Sequence, residues 1–187
     1  MQINEMIYLL VAAALAGLIA FTTTPAVRVL AYRIGAIDVP KDNRRMHKKP
    51  IPRIGGLAIF TGFVISTLVF CRMSPEIIAI YVGGLILVVV GIIDDIFRIN
   101  AWIKLIAQIG VAFIAVSQGV VVEYINFFGK YIHFGIFSIP ITVLWIVGLT
   151  NAINLIDGLD GLACGVSAIC SLSLLLVMIL KGEYVVA

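Results

Sequence analysis

The chain has 187 residues, is 62% hydrophobic and only 12% charged, and has a mean hydropathy of +1.16. Soluble domains are about half apolar and about a quarter charged, so this composition excludes an ordinary soluble globule and makes lipid the solvent for most of the chain. The net charge of +3 says less than the places where the charges lie, and no nucleic-acid partner is expected.

The first apolar run, Ile7 to Thr24, has no basic region before it and no clear small-residue cleavage site after it. It reads as a retained helix rather than a signal peptide. A spanning helix needs roughly 20 apolar residues, with a range of about 17–25. Six windows are candidates: 6–25, 54–71, 76–93, 101–119, 138–153 and 161–180, the fifth being the shortest. The predicted fold class is an all-α polytopic membrane protein of about six transmembrane helices.

Between the first two windows, "AVRVLAYRIGA" continues the first helix. "DVPKDNRRMHKKPIPRIGG" then reads as extended, being basic and proline-rich. Residues 120–138, "VVVEYINFFGKYIHFGIFS", are β-branched and aromatic, with Gly129-Lys130 as the turn signal. They predict a short outer β-hairpin. His133 belongs to it and is assigned no chemistry. Cys71, Cys164 and Cys170 make neither a ligand spacing nor a disulfide framework, and read as small apolar residues. After the last window, "KGEYVVA" starts a new apolar run and stops. The expectation is one membrane domain over 1–187, truncated at its C-terminus.

Lysine and arginine set the orientation. One set of alternate connections carries Arg28, Arg33, Lys41, Arg44, Arg45, Lys48, Lys49, Arg53, Arg98 and Lys104, whereas the other carries Arg72, Lys130 and Lys181. The first set is therefore expected in the cytoplasm, and the N-terminus outside.

Three polar stretches fall on that face. "VGIIDDIFRIN" puts Asp94 and Asp95 side by side at a helix end. Adjacent carboxylates repel at a low-dielectric boundary. A hard divalent cation such as Mg²⁺ relieves that repulsion and shares its oxygen ligands with substrate phosphates; one carboxylate could instead serve as a general base. The bland alternative is a polar stop at a helix end. "NAINLIDGLDGLA" spaces Asn151, Asn154, Asp157 and Asp160 three apart, with Gly158 and Gly161 directly after the two aspartates. That spacing shares a helix face, while the glycines favour a loop that approaches a ligand closely. Asp160 also suits a helix cap. The pattern is not a calcium EF-hand. "MHKKPIPRIGG" brings His47, Lys48, Lys49 and Arg53, which serve either positive-inside topology or a phosphate clamp. In "NAWIKLIAQ", Lys104 and Gln108 share a face, and an intramembrane Gln is expected to turn inward or bond across helices. Together these groups suit Mg²⁺-dependent phosphoryl transfer at a membrane surface.

"HKKPIPRIGG", Asp94-Asp95, the outer hairpin and "NAINLIDGLDGLA", in this order, resemble the polyprenyl-phosphate N-acetylhexosamine-1-phosphate transferases. The resemblance covers the whole chain. It implies transfer of a sugar 1-phosphate from a UDP-sugar to undecaprenyl phosphate, with release of UMP, at the cytoplasmic face of a bacterial plasma membrane. "HKKPIPRIGG" and "KLIAQ" resemble the branch that uses UDP-N-acetylglucosamine to begin teichoic-acid, O-antigen or related envelope polymers. By resemblance, Asp94 and Asp95 match the catalytic pair. Asn154 and Asp157, with Asp95, match positions beside Mg²⁺ and pyrophosphate. Gly158, Leu159 and Asp160 match positions near the nucleotide base. Lys48 or Lys49 matches a lysine near the phosphates, where His47, Arg53, Asn151 and Lys104 are further candidates. A homodimer is a further expectation. The family normally has about ten or eleven spans, so the resemblance implies that 1–187 holds half a site and is inactive alone. The rival expectation is half of a secondary transporter, whose acids would lie near the midplane.

Overall fold

The computed structural model describes residues 3–38, 50–158 and 161–181. They are mostly helical, as the apolar windows require. Helix α1 spans Ile3–Ile34 and runs through Pro25 without a break. Thr23 and Thr24 return their hydroxyls to the carbonyls of Ile19 and Ala20 at 2.7 Å each. Such bonds satisfy hydroxyls that hydrocarbon would strand. Gly35 ends α1 with φ +77°, and the Ala36 N–H reaches back to the Ala31 carbonyl at 3.0 Å. That is the glycine-terminated Schellman pattern.

Two residues beyond, strand β1 (Ile37–Asp38) pairs antiparallel with β2 (Ile51–Pro52). The Arg53 N–H extends this ribbon to the Ala36 carbonyl, and the Tyr32 hydroxyl donates to the Pro50 carbonyl at 3.1 Å. The sequence predicts an extended segment here, and the ladder itself is an addition. It ties both ends of the basic loop to the foot of α1. Beneath it lies the buried core of Val27, Ala31, Ala36, Ile54 and Ala58, against which Ile92 and Ile96 pack.

Helix α2 (Gly55–Phe70) lies along α1. Small residues line the seam. A Cβ on Gly62 would run into the Ala16 carbonyl and Ala20. The Ser66 hydroxyl crosses to the Ala12 carbonyl at 2.7 Å. Close backbone approach through small residues is how helices associate in lipid, where burial from water supplies no drive.

Helix α3 (Pro75–Phe97) starts from a Ser74 cap and ends at Arg98, which takes the left-handed conformation at φ 53°. Asn100 then caps α4 (Ala101–Ser117), accepting from the Trp102 N–H at 3.1 Å. Cap and reversal together make an αα-hairpin of α3 and α4. Strands β3 (Tyr124–Phe127) and β4 (Lys130–His133) form the hairpin that the aromatic run predicts. Its turn is Phe128-Gly129 rather than Gly129-Lys130. Both turn residues have positive φ, at 49° and 83°, the backbone sign that tight hairpin turns need. The Asn126 side chain accepts from the Gly129 N–H and holds that turn.

Helix α5 (Ser138–Ile156) packs on α4, and α6 (Leu162–Lys181) follows it. The buried Thr142 accepts from the Val122 N–H at 2.8 Å, so the N-terminal part of α5 is tied to the segment that leads into β3. Helix α5 continues three residues past the expected 153. The connection to α6 is correspondingly short.

Among the described residues there are six apolar helices, as expected, but four are long enough to cross a bilayer: α1, α3, α5 with its preceding turn, and α6. Helices α2 and α4 have 16 and 17 residues. At 1.5 Å per residue they reach about 24–26 Å, short of a hydrocarbon core about 30 Å thick. The difference from the expected 54–71 and 101–119 lies at the ends, where Ile54, Cys71, Gln118 and Gly119 fall outside the helices.

The α1–α2 seam has a direct test. Gly62→Val should destabilise the protein by about 1–3 kcal/mol through overpacking. The readout is the denaturation midpoint in detergent; an unchanged midpoint would mean that the helices do not meet there.

Candidate functional site

The reversals place the β1–β2 ribbon, the end of α3, the start of α4 and the end of α5 at one end of the helices. The β3–β4 hairpin lies at the other. Asp94 and Asp95 occupy the last turn of α3, and each meets a cation. Asp94 Oδ2 accepts from Lys104 Nζ at 2.8 Å. Asp95 Oδ1 lies 3.9 Å from Arg53. Arg53 is held at the mouth of the ribbon by a closer pair, 3.0 Å to Asp38. Both cations and both carboxylates of the Asp pair retain partial solvent exposure.

Asp157 completes this electrostatic group. It is the exposed C-cap of α5 and acts on Asp95 as a like charge, as Asp94 does, while Arg53 and Lys104 act on it as opposite charges. The structure thus brings Asp94, Asp95, Lys104, Arg53 and Asp157 into one region, as the sequence predicts. His47, Lys48, Lys49, Leu159 and Asp160 lie outside the described residues.

The two asparagines differ. Asn151 is engaged: its Nδ2 donates to Gln108 Oε1 at 2.6 Å and to the Val147 carbonyl at 2.8 Å, and Gln108 Nε2 returns a longer bond of 3.5 Å. Asn154 is exposed and makes no hydrogen bond among the described residues, and Gly158 is exposed as well. Helical geometry explains the split. Asn151 lies one turn above Val147, on the face against α4, whereas Asn154 falls in the last, unpaired turn.

Oxygen donors dominate the open part of this region: Asp95, Asp157 and Asn154. Such hard donors fit Mg²⁺ rather than a soft metal. Among the described residues, no three His, Cys, Asp or Glu side chains gather closely enough to hold a metal by themselves.

Two residues gain importance from the structure. Asp38 enters through the ribbon, which no local pattern reveals. Gln108 is 8% exposed and bonds across helices, as its place in an apolar window predicts. Its partner could not be read, because helical spacing gives a face but not the neighbour facing it.

Between α4 and α5 lies an apolar groove of about 450 Å³ lined by residues that include Leu105, Phe113, Val143 and Val147.

The Asp94–Lys104 pair is about one-third exposed on both sides, so Lys104→Met should cost less than about 1 kcal/mol of stability. Chemical denaturation in detergent measures it. A loss of about 3 kcal/mol would instead indicate a desolvated pair whose removal strands a charge.

Residues 77–187 match the family model described as glycosyl transferase family 4. The chain is 45% identical over 182 residues to a protein of Bacillus subtilis named probable undecaprenyl-phosphate N-acetylglucosaminyl 1-phosphate transferase, covering 96% of this chain and 50% of that protein. It is 35% identical over 172 residues to decaprenyl-phosphate N-acetylglucosaminephosphotransferase of Mycolicibacterium smegmatis, covering 85% and 42%. A phospho-N-acetylmuramoyl-pentapeptide-transferase of Chlorobium chlorochromatii is 32% identical over 169 residues, covering 80% and 45%. The chain spans about half the length of these curated relatives. No solved structure matches it. The chain belongs to glycosyl transferase family 4.

Proposed function

We propose that this chain supplies the cytoplasmic half-site of a multi-pass membrane enzyme that transfers N-acetylglucosamine 1-phosphate from UDP-N-acetylglucosamine to undecaprenyl phosphate. The observation that carries the reading is the meeting of the α3 carboxylates, Arg53, Lys104 and the open end of α5 at one end of the helices. Membership of a family whose relatives bear polyprenyl-phosphate transferase names supports it.

In the proposed reaction a phosphate oxygen of the lipid attacks the β-phosphorus of the UDP-sugar. A new phosphorus–oxygen bond forms. The bond from that phosphorus to the bridging oxygen breaks, and UMP leaves with the oxygen. Asp95 is assigned to take the proton of the lipid phosphate, because Asp94 is already held by Lys104 at 2.8 Å while Asp95 has its nearest cation at 3.9 Å. Asp95, Asp157 and Asn154 are the groups that would hold Mg²⁺, which when bound supplies charge neutralisation on the pyrophosphate. Arg53 and Lys104 offset charge from the side, and the same role is proposed for His47, Lys48 and Lys49. Gly158, with Leu159 and Asp160, is assigned to the nucleotide. Fixed cations and donors of this kind favour the charge of the transition state.

A lipid-borne acceptor and a soluble donor require a site at the bilayer surface, and acids at helix ends meet that need. A transporter would place them near the midplane.

Asp95→Asn in the product of the intact gene should cut transfer of radiolabelled N-acetylglucosamine 1-phosphate to membrane lipid by about 10²–10⁴-fold. A normal rate would remove Asp95 from the chemistry. For orientation, Asp157→Cys and Phe128→Cys should react with an impermeant thiol reagent from opposite faces of the membrane, the first from the cytoplasm. Labelling of both from one face contradicts the topology.

A further inference from the structure

We infer that Gln108 is a positioning residue: α4 acts as a strut that sets the distance between the α3 carboxylates and the ligand-facing end of α5. The inference rests on the transferase reading for its functional consequence, but its structural half stands alone. Helix α4 grips both neighbours from one face. Lys104 holds Asp94 of α3 at 2.8 Å. Gln108, one turn further into the membrane, exchanges two amide bonds with Asn151 of α5 at 2.6 and 3.5 Å. The two grips are four residues apart, or about 6 Å along the axis.

Asn151 and the Val147 carbonyl close this grip, since the second Nδ2 bond of 2.8 Å runs to that carbonyl. Both hydrogens of the Asn151 amide are therefore used within the protein. This side chain is the first of the asparagine–aspartate series, yet it faces α4, not the open region. Asn154 and Asp157 follow it by three and six residues and are exposed. Fixing Asn151 fixes the rotation and height of the turn that carries them.

The surroundings explain why an amide pair is used. Leu105 and Val147, which line the apolar groove, lie on either side of the pair. An apolar seam constrains sliding and rotation weakly, because one methyl-lined contact replaces another. A reciprocal amide pair in such a medium has one register. Slipping α5 by one residue would strand buried donors and acceptors, and each costs free energy when unpaired.

The test uses the product of the intact gene in membranes. Gln108→Met keeps the volume and removes the polar grip. The transfer assay should show kcat falling by about 100-fold, the order expected for displacement of a reacting group by about 1 Å. KM for UDP-N-acetylglucosamine should change by less than about threefold, since no substrate contact is lost. The exchanged pair Gln108→Asn with Asn151→Gln should recover activity to within about tenfold of the native rate, as coupled partners do. A direct substrate contact by Asn151 predicts no such recovery, and failure to recover overturns the inference.

A second readout is independent of activity. With Cys71, Cys164 and Cys170 replaced by Ala, spin labels at the exposed positions Phe97→Cys and Leu155→Cys report the α3–α5 distance. Gln108→Met should broaden that distribution, and the exchanged pair should narrow it again. An unchanged distribution in Gln108→Met overturns the strut. If the native protein transfers no sugar phosphate, the transferase reading fails, and the spin-label distances alone decide the strut. If Gln108→Met does not accumulate, Gln108→Asn, which only shortens the arm, replaces it, with the same broadening expected to a smaller degree.

Discussion

Hydrocarbon expels charge, and this constraint decides where chemistry sits in the chain. An ionised side chain at bilayer depth costs several kcal/mol unless it is paired or hydrated. The apolar helices therefore push their acids and cations to their ends. Reversals at Arg98-Asn100 and at Asp157 bring ends from distant parts of the sequence to the same level. A shared depth is what lets Asp95 and Asp157, 62 positions apart in the sequence, act on each other. The site is thus a consequence of expulsion before it is a consequence of any particular contact.

Depth alone does not fix lateral distances. Those come from three joints of different chemistry. At α1–α2 the joint is steric, with Gly62 against the Ala16 carbonyl. Between the ribbon and α3 it is the buried core of Ala31, Ala36 and Ile54, with Ile92 and Ile96 against it. At α4–α5 it is polar at Gln108–Asn151 and apolar along the groove, while Thr142 ties the start of α5 to Val122, beyond the end of α4. Steric joints resist compression. Polar joints specify register. The helix that carries the open asparagine and aspartate is held by the second kind.

Much of the fold can be read from the residues. Hydropathy locates the six helices, because a window about 20 residues long leaves few alternatives in lipid. The hairpin is announced by β-branched and aromatic residues around a glycine. The turn shifts by one position because a strand pair chooses the two residues with positive φ, and Phe128 is recruited beside Gly129. Less can be read where a contact is long-range. The β1–β2 ladder is two residues long, below any periodicity, and exists because the foot of α1 and the start of α2 share a core. The candidate site follows the same division. Asp94, Asp95 and Asp157 are legible as polar residues at apolar ends. The different fates of Asn151 and Asn154 are not, since both belong to one motif and only the neighbouring helix separates them.

Charge balance then separates the parts of the proposed site. Asp95 feels two carboxylates and two cations among the described residues. Those cations are already committed, Arg53 to Asp38 and Lys104 to Asp94. A nucleotide pyrophosphate and a lipid phosphate would bring several further negative charges into a region of lowered dielectric, where repulsion between close charges exceeds its value in water. The fixed cations cannot balance them, so the proposed reaction needs positive charge from elsewhere. Magnesium is one source. The other is the segment between the ribbon strands, whose sequence holds Lys41, Arg44, Arg45, Lys48 and Lys49. The ladder pairs Asp38 with Ile51 and sets the adjoining Arg53 near Asp95. The two-residue ladder is thereby more than a fold detail: it sets Arg53 between Asp38 at 3.0 Å and Asp95 at 3.9 Å, and so joins the foot of α1 to the carboxylates at the end of α3.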